Sequence, residues 1–248
     1  MGSEKKSSPN IESRRRHILR MPQAVYSASG IVVNGRRLKS FVFTTDIAII
    51  RNCDADAVFA VYPFTPQQAI SQAIIQSSYI PVFCGIGGGT TQGLRTLTLA
   101  QSVEGQGAMG VVMNSPITNR NLLAVSRVVD IPVIITVTKA DTDITARLMA
   151  GASILNVACG PNTARVVGLI RAQFPEVPII ASGGKNDESI AATIAAGLVA
   201  DEHYGVTVAM VNRHVTANPL ADIAGKTRGV PGDCDMLNVA RAMGICLG

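Results

Sequence analysis

The chain has 248 residues, 47% of them apolar and 4% aromatic, with no tryptophan, which suits one α/β domain with a sizeable core rather than two small ones. Its abundant Ala, Val, Ile and Gly fit parallel strands buried on both faces. The net charge of +5 is concentrated in the first 20 residues, where Lys5, Lys6, Arg14, Arg15, Arg16 and Arg20 against Glu4 and Glu12 give +4 and leave +1 for the rest; with no groove-reading or base-stacking motif beside it, this arm reads as solvated and nucleic acid is not expected as a partner.

Residues 1–39 form an N-terminal arm and hairpin. The opening Met-Gly-Ser-Glu-Lys-Lys places Lys6 where a myristoylation signal wants Ser or Thr, and no signal-peptide core follows. No uncharged apolar run approaches membrane-spanning length, so a soluble, cytoplasmic protein is expected, with no membrane partner. Asn34-Gly35 between apolar runs predicts a tight hairpin placed to plug the N-terminal end of a barrel.

From residue 40 to residue 211 short β-rich runs alternate with helix-like stretches. The runs are Ser40–Thr44, Ala57–Tyr62, Val82–Gly85, Ala108–Asn114, Val133–Thr138, Ile154–Ala158, Ile179–Ser182 and Val206–Val211, eight in all. Helix starts are expected at Thr65-Pro66, at Ser115-Pro116, within Asp141 to Asp143 and at Asn186-Asp187-Glu188, because each offers a capping acceptor, a proline or first-turn negative charge. Apolar spacing in Ala69, Ile70, Ala73, Ile74 and in Val166, Val167, Ile170 gives helical faces. Ile80-Pro81-Val82, Ile131-Pro132-Val133 and Val177-Pro178-Ile179 open the third, fifth and seventh runs, a period of two βα units. That period favours a (β/α)8 TIM barrel with a short N-terminal extension and an irregular C-terminal segment at 212–248, where only Met236 to Met243 reads as a helix. An open doubly wound sheet is the alternative, and it would reverse its strand order at a switch point.

In such a barrel, function sits at the C-terminal strand ends. After the seventh run, Ser182-Gly183-Gly184-Lys185 leads into a helix, and glycine-bared N–H groups with the Ser182 hydroxyl suit a phosphate. After the third, Gly85, Gly87, Gly88 and Gly89 supply more glycine than a turn needs, which points to a ligand-contacting loop. That loop is neither a P-loop nor a dinucleotide fingerprint. Asp46 and Lys139, ending the first and fifth runs, are the candidates for proton transfer, with Lys139 a Schiff-base candidate if burial keeps it neutral. Their other readings are a helix cap for Asp46 and an electrostatic clamp, or an ion pair with Asp141, for Lys139. Asn114, Asn156 and Asp141 are candidate polar contacts near the mouth, strand parity deciding whether each asparagine points inward.

Five cysteines without a CxxC pair read as reduced thiols, and Cys84 and Cys159, with no histidine at any junction before the eighth strand, as packed and inert. The same scarcity of histidine argues against a multi-histidine metal centre, so no cofactor is expected, magnesium on carboxylates staying open.

With Ser182-Gly183-Gly184 and the eight units in place, residues 40–197 resemble the phosphate-binding TIM barrels, the superfamily of ribulose-phosphate, thiamin-phosphate and tryptophan-pathway enzymes. The resemblance implies phosphate held by the loops after strands seven and eight. Val25-Tyr26-Ser27-Ala28-Ser29-Gly30, Tyr62-Pro63-Phe64-Thr65-Pro66-Gln67 and Gly85 to Gly89 are similar to a bacterial family that carries only the label "hydrolase". Beyond Gly197 the resemblance fades, and no catalytic lysine or aspartate transfers with it. The expectation is therefore a lyase or isomerase acting on a small phosphorylated metabolite. A metal-independent or magnesium-assisted hydrolase activating water through Asp46 or Asp141 and a non-catalytic metabolite-binding barrel are the alternatives, and a homo-oligomer is open to each of the three readings.

Overall fold

A computed structural model describes residues 18–182 and 186–197, and the backbone of 207–211. The hairpin comes first: β1 (Ile31–Val33) pairs antiparallel with β2 (Arg36–Leu38), Ile31 opposite Leu38. Asn34 at φ 49° and Gly35 at φ 76° give the two positive φ values that a type I′ turn requires.

Seven βα units follow. They are β3 (Ser40–Phe43) with α1 (Ile47–Arg51), β4 (Ala57–Ala60) with α2 (Gln68–Ser77), and β5 (Val82–Gly87) with α3 (Leu94–Gly105). Next come β6 (Gly110–Met113) with α4 (Asn119–Ser126), β7 (Val133–Val137) with α5 (Ile144–Met149), β8 (Ile154–Val157) with α6 (Thr163–Gln173), and β9 (Ile179–Ser182) with α7 (Asp187–Ala196). Each strand from β3 to β9 is parallel to the next. The last strand, β10 (Thr207–Val211), pairs in parallel with both β9 and β3, Thr207 opposite Ile179 and Ala209 opposite Ser40. No strand-order reversal occurs, so the fold is TIM-barrel-like rather than an open doubly wound sheet. The segment 212–248, with the helix expected at Met236 to Met243, lies outside the described residues.

Strand alternation sorts the side chains into two cores. Val42, Val58, Val111, Ile135, Val157 and Ile179 face outward and pack with helix residues such as Ile74, Leu122, Val166 and Ile194. Phe41, Phe59, Phe83, Val112, Ile134, Ile154 and Ile180 face inward, and the hairpin's Ile31, Val33 and Leu38 join them. The hairpin thus stoppers the N-terminal end as its turn chemistry and apolar flanks predict. Asp56 holds it in place by accepting from the backbone N–H groups of Lys39 and Ser40 at 2.7 and 3.0 Å.

The recurring prolines also have a defined place. Pro81, Pro132 and Pro178 stand just before β5, β7 and β9 and give no N–H, yet their carbonyls accept from Val58, Val111 and Leu155 at 2.8 to 3.0 Å.

Two helix starts differ from expectation. Helix α2 begins beyond Pro66, with Gln67 as its first cap, and α4 begins beyond Pro116, capped by Thr118, whose side chain accepts from Asn121 N. In the second case Ile117, 1% exposed, turns into the core between the proline and the helix. The proline therefore belongs to the loop, and the cap passes to the next hydroxyl. Asp143 and Asn186 cap α5 and α7 within the expected stretches.

Candidate functional site

With the N-terminal end stoppered, the C-terminal mouth is the open face of the barrel. Alternation brings Phe43, Val61 and Gly85 to it on β3 to β5, and Thr136, Asn156 and Ser182 on β7 to β9. The two sides differ in chemistry. Phe43 stacks on Phe59, and Phe59 and Phe83 each meet Phe41 edge-on, which makes one wall aromatic and apolar. The opposite wall carries two hydroxyls and an amide.

Asn156 is the most enclosed polar group of that wall, 3% exposed. Its Nδ2 donates to Thr136 Oγ1 at 3.2 Å, while its Oδ1 is buried without a hydrogen-bond partner. Asn156 therefore points inward. Asn114 follows the buried strand β6 at the mouth, and its backbone is occupied: its N–H donates to Gly87 O at 2.9 Å and its carbonyl accepts from Ile117 N at 3.1 Å.

The glycine-rich stretch is explained in large part by the chain's own packing. Between Gly85 and Gly87 the β5 to β6 register shifts by a bulge. A Cβ on Gly87 would lie 2.8 Å from Thr91 O, and one on Gly88 2.7 Å from Asn114 N, with both residues at φ near +110°. These two glycines let backbone press on backbone. Gly89 has no such neighbour and no positive φ, which leaves it and Gly85 as the positions whose glycine is not demanded by φ.

Asp46 caps α1, its Oδ1 accepting from Ala48 N at 2.7 Å and Ile49 N at 3.4 Å, and it is exposed. Lys139 lies beyond β7 on an exposed turn rather than at a buried strand end. Asp141 is exposed on the same turn. Ser182 is half-buried at the end of β9. Gly183, Gly184 and Lys185 lie outside the described residues. The helix beyond them is self-capped: Asn186 Oδ1 accepts from Ser189 N at 3.0 Å, Ser189 Oγ accepts from Asn186 N at 3.3 Å, and Asp187 and Glu188 add negative charge to the first turn.

Sequence reasoning missed Arg147, whose guanidinium bridges α5 to the loop after β6. It donates to Ile117 O at 2.6 Å, Asn119 Oδ1 at 2.8 Å and Ser115 O at 2.7 Å, and burial lowers its pKa from the ordinary arginine value. The hint was an arginine in the last turn of a short helix, which carries no recognisable motif.

The thiols behave as packed groups. Burial pushes Cys84 up to about 12, and burial also raises Cys159, with the Arg165 charge opposing. Cys84 should stay unmodified by iodoacetamide at pH 8 in the folded protein and react after unfolding. Peptide mapping by mass spectrometry checks this, and rapid labelling of native protein would contradict it.

Among the described residues no group of three or more His, Cys, Asp and Glu is placed to hold a metal, and no helix is long and apolar enough to cross a membrane.

No known protein family and no curated protein sequence matches the chain. Solved structures do. A phosphonopyruvate hydrolase aligns at 15% identity over 90% of this chain and 94% of its own, with a TM-score of 0.60, and the enzyme was also solved in complex with oxalate and Mg++. A 2,3-dimethylmalate lyase, described as a member of the PEP mutase/isocitrate lyase superfamily, aligns at 12% identity over 91% and 89%, TM-score 0.60. An oxaloacetate acetylhydrolase aligns at 10% over 90% and 92%, TM-score 0.58. At these identities the likeness shows the TIM-barrel-like fold.

Two expectations are corrected. Where the sequence resemblance pointed to the ribulose-phosphate-binding barrels, the 2,3-dimethylmalate lyase among the similar structures is described as a PEP mutase/isocitrate lyase superfamily member. The expectation of no cofactor is overturned by the magnesium in the phosphonopyruvate hydrolase complex. The residue types behind that expectation are real, but scarce histidine argues only against nitrogen-ligated metals and says little about an oxygen-loving cation. The described carboxylates near the mouth do not fit such a cation as a group, since Asp46 and Asp143 cap helices and Asp141 stands exposed.

Proposed function

We propose that this chain is an enzyme, of lyase type, that acts on a small anionic metabolite bound at the C-terminal mouth of a complete (β/α)8 barrel. The observation that carries the reading is the polar wall of Thr136, Asn156 and Ser182 above an apolar, stoppered interior. Burying polar groups in an otherwise hydrophobic barrel costs free energy unless they are hydrogen-bonded, and Asn156 Oδ1 has no partner within the protein, which suits a place where a ligand supplies one. The neighbours support the class of substrate: by their names they act on phosphonopyruvate, oxaloacetate and dimethylmalate, all small acids, as hydrolases or a lyase.

In this reading the Ser182 hydroxyl and the N–H groups of Gly183 and Gly184 take the anionic group. The self-capped start of α7, with its two carboxylates, leaves that task to the loop rather than to the helix end. Lys139, exposed beside the mouth, steers the anion electrostatically. The second oxygen of Asp46 accepts a proton while the first caps α1. Magnesium is the cation to supply in the assay, and no step is derived through it.

The test is a thermal-stabilisation screen of phosphorylated and carboxylate metabolites, each with and without magnesium. A ligand at 100 times its dissociation constant should add about 2.7 kcal/mol. A hit that is consumed supports the enzyme, one that is bound unchanged supports a binding barrel, and no hit among small anions overturns the reading. Asp46→Asn then separates capping from chemistry, because asparagine caps as well as aspartate. Unchanged melting with turnover reduced by ~100-fold or more would assign proton transfer to Asp46, and unchanged turnover would leave it a cap.

A further inference from the structure

We infer that the ligand of this mouth carries a hydroxyl group on the end that enters the barrel, and that Asn156 is the residue that reads it. The inference rests on the proposed anion site and adds the chemistry of the ligand's uncharged end. Asn156 Oδ1 is enclosed and has no hydrogen-bond partner, although the same side chain donates to Thr136. An enclosed acceptor without a protein partner is destabilising, and a leucine of nearly the same shape would fill the space without it. Such an atom calls for a donor. Ionised phosphate and carboxylate oxygens accept hydrogen bonds and supply none, so the anionic head of the ligand is the wrong partner for this oxygen.

The flanking residues narrow the class. Thr136 on β7 stands directly beside Asn156 and is half-buried, while on β9 the residue beside Asn156 is the apolar Ile180 and the half-buried Ser182 lies two residues further toward the mouth. Thr136 and Asn156 thus form an adjacent hydroxyl and amide that can exchange hydrogen bonds with a hydroxylated carbon chain, below the Ser182 hydroxyl assigned to the anionic head. Across the barrel, Phe43, Phe59 and Val61 present carbon alone, which suits the C–H face of the same chain. The ligand is therefore two-sided as well as two-ended: an anionic head at the mouth, and hydroxyls toward β7 and β8 with C–H groups toward β3 to β5.

Two pairs of probes test this, glycerol 3-phosphate against propyl phosphate and malate against succinate, each differing at hydroxyl groups while sharing an anionic head. Calorimetry on the wild-type protein should show the hydroxylated member of at least one pair binding about tenfold tighter or more, since a site built for a hydroxyl rejects the analogue lacking it. Which pair discriminates identifies the head group. In Asn156→Leu the two members should bind within about twofold of each other, the deoxy member should bind as before, and the melting temperature should rise. Equal affinities within both pairs in the wild type would overturn the inference while leaving the anion site standing. A preference that survives Asn156→Leu would move the recognition elsewhere and overturn the role of Asn156. If none of the four probes binds, the anion-site reading falls and this inference with it. The wild-type comparison decides the hydroxyl preference even where the variant does not fold.

Discussion

Phe83→Ala should lower the stability of the fold by about 4 kcal/mol, because a fully buried ring is lost from a barrel interior that cannot collapse around the void. For a domain of this size the melting temperature should fall by about 10 °C, measurable by calorimetry. Phe83 is 0% exposed and meets Phe41 edge-on at 5.2 Å, at the centre of the inward-facing cluster that also receives the hairpin. Its neighbour on β6 has been cut to fit: a Cβ on Gly110 would stand 2.8 Å from the Phe83 ring. Gly110→Ala alone should therefore destabilise, yet in the Phe83→Ala background the added methyl enters vacated space and should restore part of the loss. A double-mutant cycle with no coupling would show that the interior relaxes freely and that the two positions do not share one volume.

Gly88→Ala should cost about 3 kcal/mol, and Gly89→Ala next to it should cost nothing or stabilise slightly. At Gly88 two penalties add. The φ of 108° is a region that side chains avoid, and the Cβ would lie 2.7 and 2.8 Å from the backbone N and O of Asn114, atoms that cannot swing aside. Relief requires moving the turn off the end of β6, which breaks the bonds from Gly88 N to Thr91 O and from Asn114 N to Gly87 O, both 2.9 Å. Faster hydrogen exchange at residues 87–91 and at Asn114 should accompany the loss. Gly89 meets nothing within 4 Å and has no positive φ, so alanine there only restricts the unfolded chain. Equal effects at the two positions would refute the assignment of Gly88 to backbone packing.

Much of the architecture was legible because its signals are local. Each of the eight runs coincides with a strand of the described chain to within a few residues, since a strand buried on both faces is a short apolar run and little else. Asn34-Gly35 specified its turn, and the Ile/Val-Pro repeat marked where β5, β7 and β9 begin. The site was less legible because its meaning lies in contacts across the sheet. Gly87 and Gly88 read as a ligand surface, and only the proximity of Thr91 and Asn114 shows what they press against. Lys139 sits two residues past the end of β7, enough to pass from the buried strand to solvent. Asn156 was recognisable as polar in an apolar run, but whether it faces the helices or the barrel is a matter of one residue of register. Arg147 answers to carbonyl groups some 30 positions away, a relation that no spacing rule encodes.

The stopper formed by Ile31, Val33 and Leu38 bears on traffic. Among the described residues the floor of the barrel is filled by carbon, so arrivals and departures share the mouth at the other end. For an enzyme this fixes the form of product inhibition: a product still in the vestibule bars the next substrate, so the product that leaves last should compete directly with substrate. Remodelling the hairpin would then alter how firmly the barrel stands, and remodelling the loops at the far end would alter what it admits.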